Sequence, residues 1–397
     1  MMSSSPTPPP MEIEAASPPG LEEAGSPFLL DAKDGMSDTK SVALLVLGMH
    51  RSGTSSVAGT LVHLGAQEPR TLLPPNPDNE RGFFESIEFM QLNDRILWSA
   101  GTTWDDWRAV TSDWFNSPAA LEFEIQAREV IAAEFGTAPL AMIKDPRFCR
   151  IMPFWSRVFD STGHDLRIIM PVRSPLEVAQ SLAHRNGVPL SKGVMMWLRH
   201  VLDAEAASRH LPHAFLDWSE FLADWRNVLQ RVGERLGVQL PRLLNETAGA
   251  EVDSYLSASL RHNVVSDEEL AAHPEMNQWV MATYQATRSL AKDPDSSSAR
   301  QTLDQVRNDF DRASKAFERM ATELEQTLAG SRRETASANA ERDHALSERD
   351  RYAHEKDACA KERDLKIAEA AELRAHVDQL IAERDALASA DPALSPG

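Results

Sequence analysis

Hydrophobic residues gather in four short runs: SVALLVLG at 41–48, LAMIKD at 140–145, LRIIMPVR at 166–173 and AFLDW at 214–218. The first and third are nearly continuous, as strands covered on both faces of a parallel sheet are. Between the runs the apolar spacing becomes helical. Val57, Leu61 and Leu64 share one face, and Gly65 offers a stop. Ser174-Pro175-Leu176-Glu177 predicts a helix start, with an N-cap serine, proline at the first helical position and a glutamate reaching back. Leu222, Trp225, Leu229, Val232 and Leu236 predict one amphipathic helix ending at Gly237. Strand–helix alternation predicts an α/β domain over 41–290, a parallel sheet flanked by helices.

The two ends read differently. Residues 1–40 are rich in Ser, Pro and Glu, too polar to offset their ordering entropy, which predicts a disordered leader. Over 295–390, Glu recurs at 341, 348, 355, 362 and 369 and again at 383, with ERD or EKD following at most of these positions. A seven-residue period predicts a long charged helix with coiled-coil character. Its would-be core mixes Ala345, Tyr352, Cys359 and Lys366 before improving to Leu373, Leu380 and Leu387. Weak pairing, as a dimer or with a protein partner, and a solitary helix held by i,i+4 ion pairs both fit this pattern.

Composition narrows the function. A net charge of -19 argues against a nucleic-acid partner and requires any anionic ligand to find a local basic pocket. Two cysteines, Cys149 and Cys359, are too few for a disulfide scaffold and fit a reducing compartment. No stretch has the ~20 apolar residues of a membrane span, and the N-terminal residues lack the basic-then-apolar pattern of a secretory signal. A cytoplasmic location is expected. No C-x-x-C or H-E-x-x-H cluster is present, so no metal site is expected.

The chemistry is concentrated in VLGMHRSGTS, residues 46–55. A loop between a strand and a helix, with Gly48 and Gly53 for tight turning, suits phosphate binding. The ATP-binding form has a lysine after its second glycine; here Thr54 stands there and Arg51 is the loop's cation. Its planar fork suits a tetrahedral oxyanion, and Ser52, Thr54 and Ser55 add hydroxyls.

These residues resemble the 5′-phosphosulfate loop of the sulfotransferases, a P-loop NTPase-like fold, here of a bacterial type with a C-terminal coiled-coil extension. PVRSPLEVAQSLAHR resembles that family's 3′-phosphate motif, with Arg173 at a strand end and Ser181 eight residues on, and IKDPR at 143–147 resembles the Lys-Asp-Pro segment of the tyrosylprotein branch. The resemblance covers about residues 41–240. It implies 3′-phosphoadenosine 5′-phosphosulfate as donor, held by Gly48, Arg51, Ser52, Gly53, Thr54, Ser55, Arg173 and Ser181, with no metal. It implies Lys144 as the cation that stabilises charge on the bridging oxygen; the plain reading of Lys144 is a strand-end salt bridge with Asp145. Arg147, Arg150 and Arg185 are each either added positive potential or surface charge.

The histidine that cytosolic members use as base is absent, its place held by Pro146. Other branches use a glutamate after the first helix, and Glu80, Glu85 and Glu88 lie there. Glu85 is the choice, because Phe83 and Phe84 beside it would raise its pKa; His50 and His63 are weaker candidates. Where many members have an adenine-stacking Trp, this chain has Ser56, and Trp218 is the available substitute. The Trp residues of GTTWDDWRAVTSDWF (101–115) suit either sugar recognition or a core, and Trp197 suits helix packing. The leading expectation is sulfuryl transfer to an acceptor hydroxyl on a glycan or related metabolite. The alternatives are a nucleotide kinase or NTPase, with Asp145 holding Mg²⁺, and a non-catalytic scaffold built on the helical tail.

Overall fold

The computed structural model describes residues 41–75, 79, 82–256 and 265–390, the last three of these by backbone alone. The expected leader at 1–40 and the candidate Glu80 lie outside the described residues.

The four apolar runs form four strands: β1 (Val42–Val46), β2 (Leu140–Lys144), β3 (Asp165–Val172) and β4 (His213–Asp217). They make one parallel sheet in the order β2-β1-β3-β4. The alternation of side chains along each strand divides the interior in two. Ala43, Leu45, Ile143 and Ile168 point into a large core on one face, while Leu44, Val46, Met142 and Ile169 point into a smaller core on the other. That is why the runs read as continuous rather than alternating.

The smaller core is closed by α1 (Thr54–His63), α8 (Trp225–Leu236) and α9 (Glu246–Tyr255). Val57, Leu61 and Leu64 are fully buried there, as their spacing predicts. The predicted helix through Leu222–Leu236 is two helices, α7 (Trp218–Ala223) and α8, broken at Asp224. Asp224 leaves the helical region, with φ -151° and ψ 72°, and its carboxylate caps the second helix by accepting from Asn227 N at 3.2 Å. The local hydrogen bond competes with helical continuation there.

The larger core is covered by α2 (Ile87–Ser99), α3 (Pro118–Phe135), α4 (Phe148–Ser161), α5 (Pro175–Asn186) and α6 (Leu190–Ser208). α10 (Asp267–Ala272), α11 (Gln278–Lys292) and the first turns of α12 (Ser297–Ala390) complete it. Trp197 is buried in this core, as predicted. The tail is a single helix of 94 residues. Ala299, Leu303, Val306 and Phe310 are buried against the α/β body, and the side chains beyond about residue 330 are exposed.

The chain crosses from β2 to β3 over β1, so the strand order reverses beside β1. In open parallel sheets, ligands bind outside the carboxyl ends of the strands at such a point. That edge carries the loop after β1, Lys144 at the end of β2, Arg173 just past β3 and Trp218 just past β4.

The β2 end is anchored by Asp145, fully buried. One carboxylate oxygen accepts from Asn93 Nδ2 at 3.0 Å; the other accepts from Arg147 N and Nη1, each at 3.0 Å. Trp155 Nε1 donates to Asn93 at 2.8 Å and extends the network into α4. Asp145→Ala would leave Arg147 buried beside a lost partner. Breaking a buried pair this way costs about 3–5 kcal/mol, so the urea unfolding midpoint of this variant should fall with an unchanged m-value.

Candidate functional site

β1 runs directly into the loop. Leu47 N donates to Ile169 O at 2.9 Å and Ser52 N to Met49 O at 3.1 Å, which fixes the turn. Arg51 has φ +69° and Gly53 φ +83°, both left-handed. Glycine tolerates that region, whereas a non-glycine residue there is held by its surroundings, commonly at functional sites. Arg51 is held twice: its Nε donates to Ser181 Oγ at 2.7 Å, and its carbonyl accepts from Arg173 Nη1 at 2.9 Å. A Cβ at Gly53 would lie 2.5 Å from the Trp218 ring, so glycine is required for close approach as well as for φ. α1 leaves from Gly53 with no acidic residue in its first turn. The first-turn N–H groups have no intrahelical acceptor and face an anion-receptive end.

A second strand–helix junction lies alongside. Arg173 follows β3, and its Nε donates to Glu177 at 2.8 Å. The capping arrangement expected at Ser174 does not form. Ser174 Oγ makes no cap bond and is buried without a partner among the described residues, and Glu177 turns to Arg173 and to Val265 N. The pull of the arginine outweighs the backbone N–H. Ser52 Oγ is likewise buried and unpartnered. Arg51, Arg173 and Ser181, expected at two anion sites, therefore form one continuous cluster.

Lys144 and Glu85 meet at the mouth of the loop. Lys144 Nζ donates to Glu85 Oε1, to Ser55 Oγ at 3.2 Å and to Phe83 O at 3.1 Å. Both side chains are nearly inaccessible, 3% and 6% exposed. The expected alternative pair, Lys144 with Asp145, is replaced by this one, because Asp145 is committed to Asn93 and Arg147. Phe83 lies against Arg185 at 5.2 Å and Phe84 against Tyr255 at 6.1 Å, so both rings flanking Glu85 have partners of their own. Phe84 is the other described non-glycine residue with positive φ, at +56°, and this kink directs the chain past the lysine. Glu88 is exposed in the first turn of α2, and His63 pairs with Glu251 at 3.6 Å.

Of the further cations, Arg185 lies over the Phe83 ring, next to the Lys144–Glu85 pair. Arg147 is tied to Asp94 and Asp145, and Arg150 is an interior brace bonded to Asp106 O, Arg108 O and Asp203. Of the Trp cluster, Trp114 is core, Trp107 stacks on Phe310 at 6.2 Å, and Trp104 meets the His50 ring edge-on at 4.9 Å. Trp218 is 6% exposed, its face taken by Gly53 and by Arg173 at 5.7 Å. It serves as the floor of the loop.

Two residues carried no sequence signal. Tyr255 Oη donates to Ser55 O at 3.0 Å, tying α9 to the loop. His200 lines a cavity of about 20 Å³ behind Gly48 and Ser52. Its Nδ1 lies 2.7 Å from Met196 O, and its Nε2 is buried without a partner among the described residues. Burial, reinforced by Arg150, pushes its pKa down to about 3. Burial, with Arg147 and Lys144, also pushes His50 well below the ordinary imidazole value, and its Nε2 is unpartnered too. Among the described residues no cluster of three His, Cys, Asp or Glu side chains could hold a metal, and no helix is long and apolar enough to cross a membrane.

No protein-family model and no curated protein matches the chain. Among solved structures it is similar to the sulfotransferase domain of the Synechococcus PCC 7002 olefin synthase, at 17% identity and TM-score 0.33, over 65% of this chain and 96% of that one. It is also similar to the sulfotransferase domain of the curacin biosynthetic pathway, at 14% identity and TM-score 0.32, over 67% and 97%. At such values the likeness assigns neither activity nor ligand.

The buried histidines make stability depend on pH. A folded-state pKa below the unfolded value of about 6.5 means the unfolded chain binds the extra proton first. The stability is complete above pH ~6.5 and is lost as pH falls toward the folded pKa. The urea midpoint should therefore drop between pH 7.5 and pH 5, and His200→Gln should drop less steeply, by about one proton's worth of slope.

Proposed function

We propose that this chain is a sulfotransferase that moves a sulfuryl group from 3′-phosphoadenosine 5′-phosphosulfate to an acceptor hydroxyl on a glycan or related metabolite. The observation that carries the reading is the Lys144 ammonium, bound at once to Ser55 of the loop and to Glu85. One buried contact joins a phosphate-type loop, a cation and a carboxylate.

The residues present fit such a donor. It carries two separated anionic groups, and the sheet edge offers two adjoining cationic junctions, with Ser52 and Ser174 hydroxyls buried there and unpartnered among the described residues. The loop residues Gly48–Ser55, with Arg51, would hold the 5′ group, and Arg173 with Ser181 the 3′-phosphate. When bound, the donor supplies an activated sulfuryl group with a stable phosphate leaving group. Glu85 takes the proton from the acceptor hydroxyl. Lys144 stabilises negative charge as it develops at the loop, acting in a site screened from water where such a charge counts most. Trp104, half-buried against the core and beside His50, is the aromatic residue we assign to the acceptor. The kinase reading loses its Mg²⁺ ligand, since both Asp145 oxygens are engaged by Asn93 and Arg147.

Calorimetric titration with 3′-phosphoadenosine 5′-phosphate, against ATP with Mg²⁺, tests the donor. The first should bind without metal, and Arg173→Ala should weaken it by tenfold or more. Glu85→Gln should keep that affinity and lose on the order of 10²–10⁴ in transfer rate, the range for loss of a general base. Preference for ATP–Mg²⁺ would overturn the reading.

A further inference from the structure

Arg108 ties α12 to the α/β body as far as Thr322 and Glu325, but these polar contacts leave the apolar residues of the helix beyond Phe310 without an apolar partner among the described residues. Phe317, Leu324, Leu328, Leu373, Val377 and Leu380 are each at least half exposed. Their register is not random. A line drawn every seventh residue from the buried Leu303 and Phe310 continues through Phe317 and Leu324 to Leu373, Leu380 and Leu387. Four residues on, a companion line holds Ala321 and Leu328 near the body and Ala370 and Val377 near the far end. Two lines so spaced have the register of the seam of a two-stranded coiled coil. Between the apolar ends, the companion line is cationic, at Arg342, Arg349, Lys356 and Arg363, and each is preceded by a glutamate.

The helix is poorly equipped to stand alone. Solitary charged helices rely on ion pairs at i,i+4. Here Arg342–Asp343, Arg349–Asp350, Arg363–Asp364 and Arg384–Asp385 join sequence neighbours, which do not bridge successive turns. Among the described residues past Phe317, Arg319–Glu323 at 2.9 Å and Arg351–Glu355 at 3.8 Å have the i,i+4 spacing and Arg351–Glu348 and Lys366–Glu369 the i,i+3 spacing, so the turn-bridging pairs are few for a helix of this length.

We propose that α12 pairs with α12 of a second copy, antiparallel, over Phe317–Arg384. Charge decides the direction. In a parallel, in-register pair each cation of the companion line would face its own copy, giving a run of like-charge layers. Reversal removes that clash. It sets Leu373 against Leu328 of the second copy and Val377 against Leu324, so apolar end meets apolar end. In the middle, Lys356 faces Ala345 and Arg363 faces Ala338, small residues that leave each cation room to reach the glutamates flanking the seam. Arg342 faces Cys359, and Arg349 faces the Tyr352 ring. This pairing is independent of the reaction proposed above.

The native Cys359, exposed and free, supplies the test. Light scattering on the full chain should give the mass of two copies, and Leu324→Glu combined with Leu380→Glu should give one copy with the ligand affinity of the unaltered chain. Under mild oxidation the unaltered chain should form no covalent dimer. Arg342→Cys should form one through Cys359 of the second copy, and adding Cys359→Ser should abolish it. Residues 342 and 359 are ~25 Å apart along one helix, too far for a bond within a chain. A single-copy mass for the unaltered chain, a covalent dimer through Cys359 alone, or a dimer that Arg342→Cys leaves uncrosslinked would each overturn the proposal.

Discussion

An ammonium group withdrawn from water must be compensated, or the side chain gives up its charge. Lys144 obeys this constraint at the point where the sheet delivers its chemistry. It reaches the loop after β1 through Ser55 and the segment before α2 through Phe83 O and Glu85. Releasing the lysine would leave Glu85 without its cation and loosen the chain over the loop. Asp145, next in sequence, holds the other side of the same strand end through Asn93 and Arg147. Two adjacent residues therefore divide the work. One faces the loop with a buried positive charge, and the other faces the protein with a buried negative charge.

The same economy governs the two arginines. Arg51 occupies a backbone region that costs about 1–3 kcal/mol for a residue with a side chain. Arg173 and Ser181 supply the restraint, so the second junction stabilises the conformation of the first. A ligand that engaged both would act on elements already in contact.

Much of this was legible in the sequence. The four apolar runs became the four strands because burial on both faces leaves little freedom in composition. Gly48, Arg51, Lys144, Arg173 and Ser181 converge because parallel strands bring their C-terminal ends to one edge. Local competition was less legible. Ser174 looked like a cap until Arg173 drew Glu177 away, and Asp224 broke a helix whose apolar face runs on unbroken. Partners remote in sequence left no trace: Tyr255 reaches Ser55 across 200 positions, and the pairing of Lys144 with Glu85 rather than its neighbour depends on the kink at Phe84. The Trp cluster was ambiguous because the same residues serve sugars and cores. Packing claims all three, Trp114 within the core and Trp104 and Trp107 at its rim, and the His50 contact places Trp104 beside the loop.

The length of α12 has a hydrodynamic consequence. At 1.5 Å per residue, 94 residues make a rod of about 140 Å. Friction on a rod grows with its length far faster than on a sphere of equal mass. Truncating the tail would therefore change diffusion out of proportion to the residues removed.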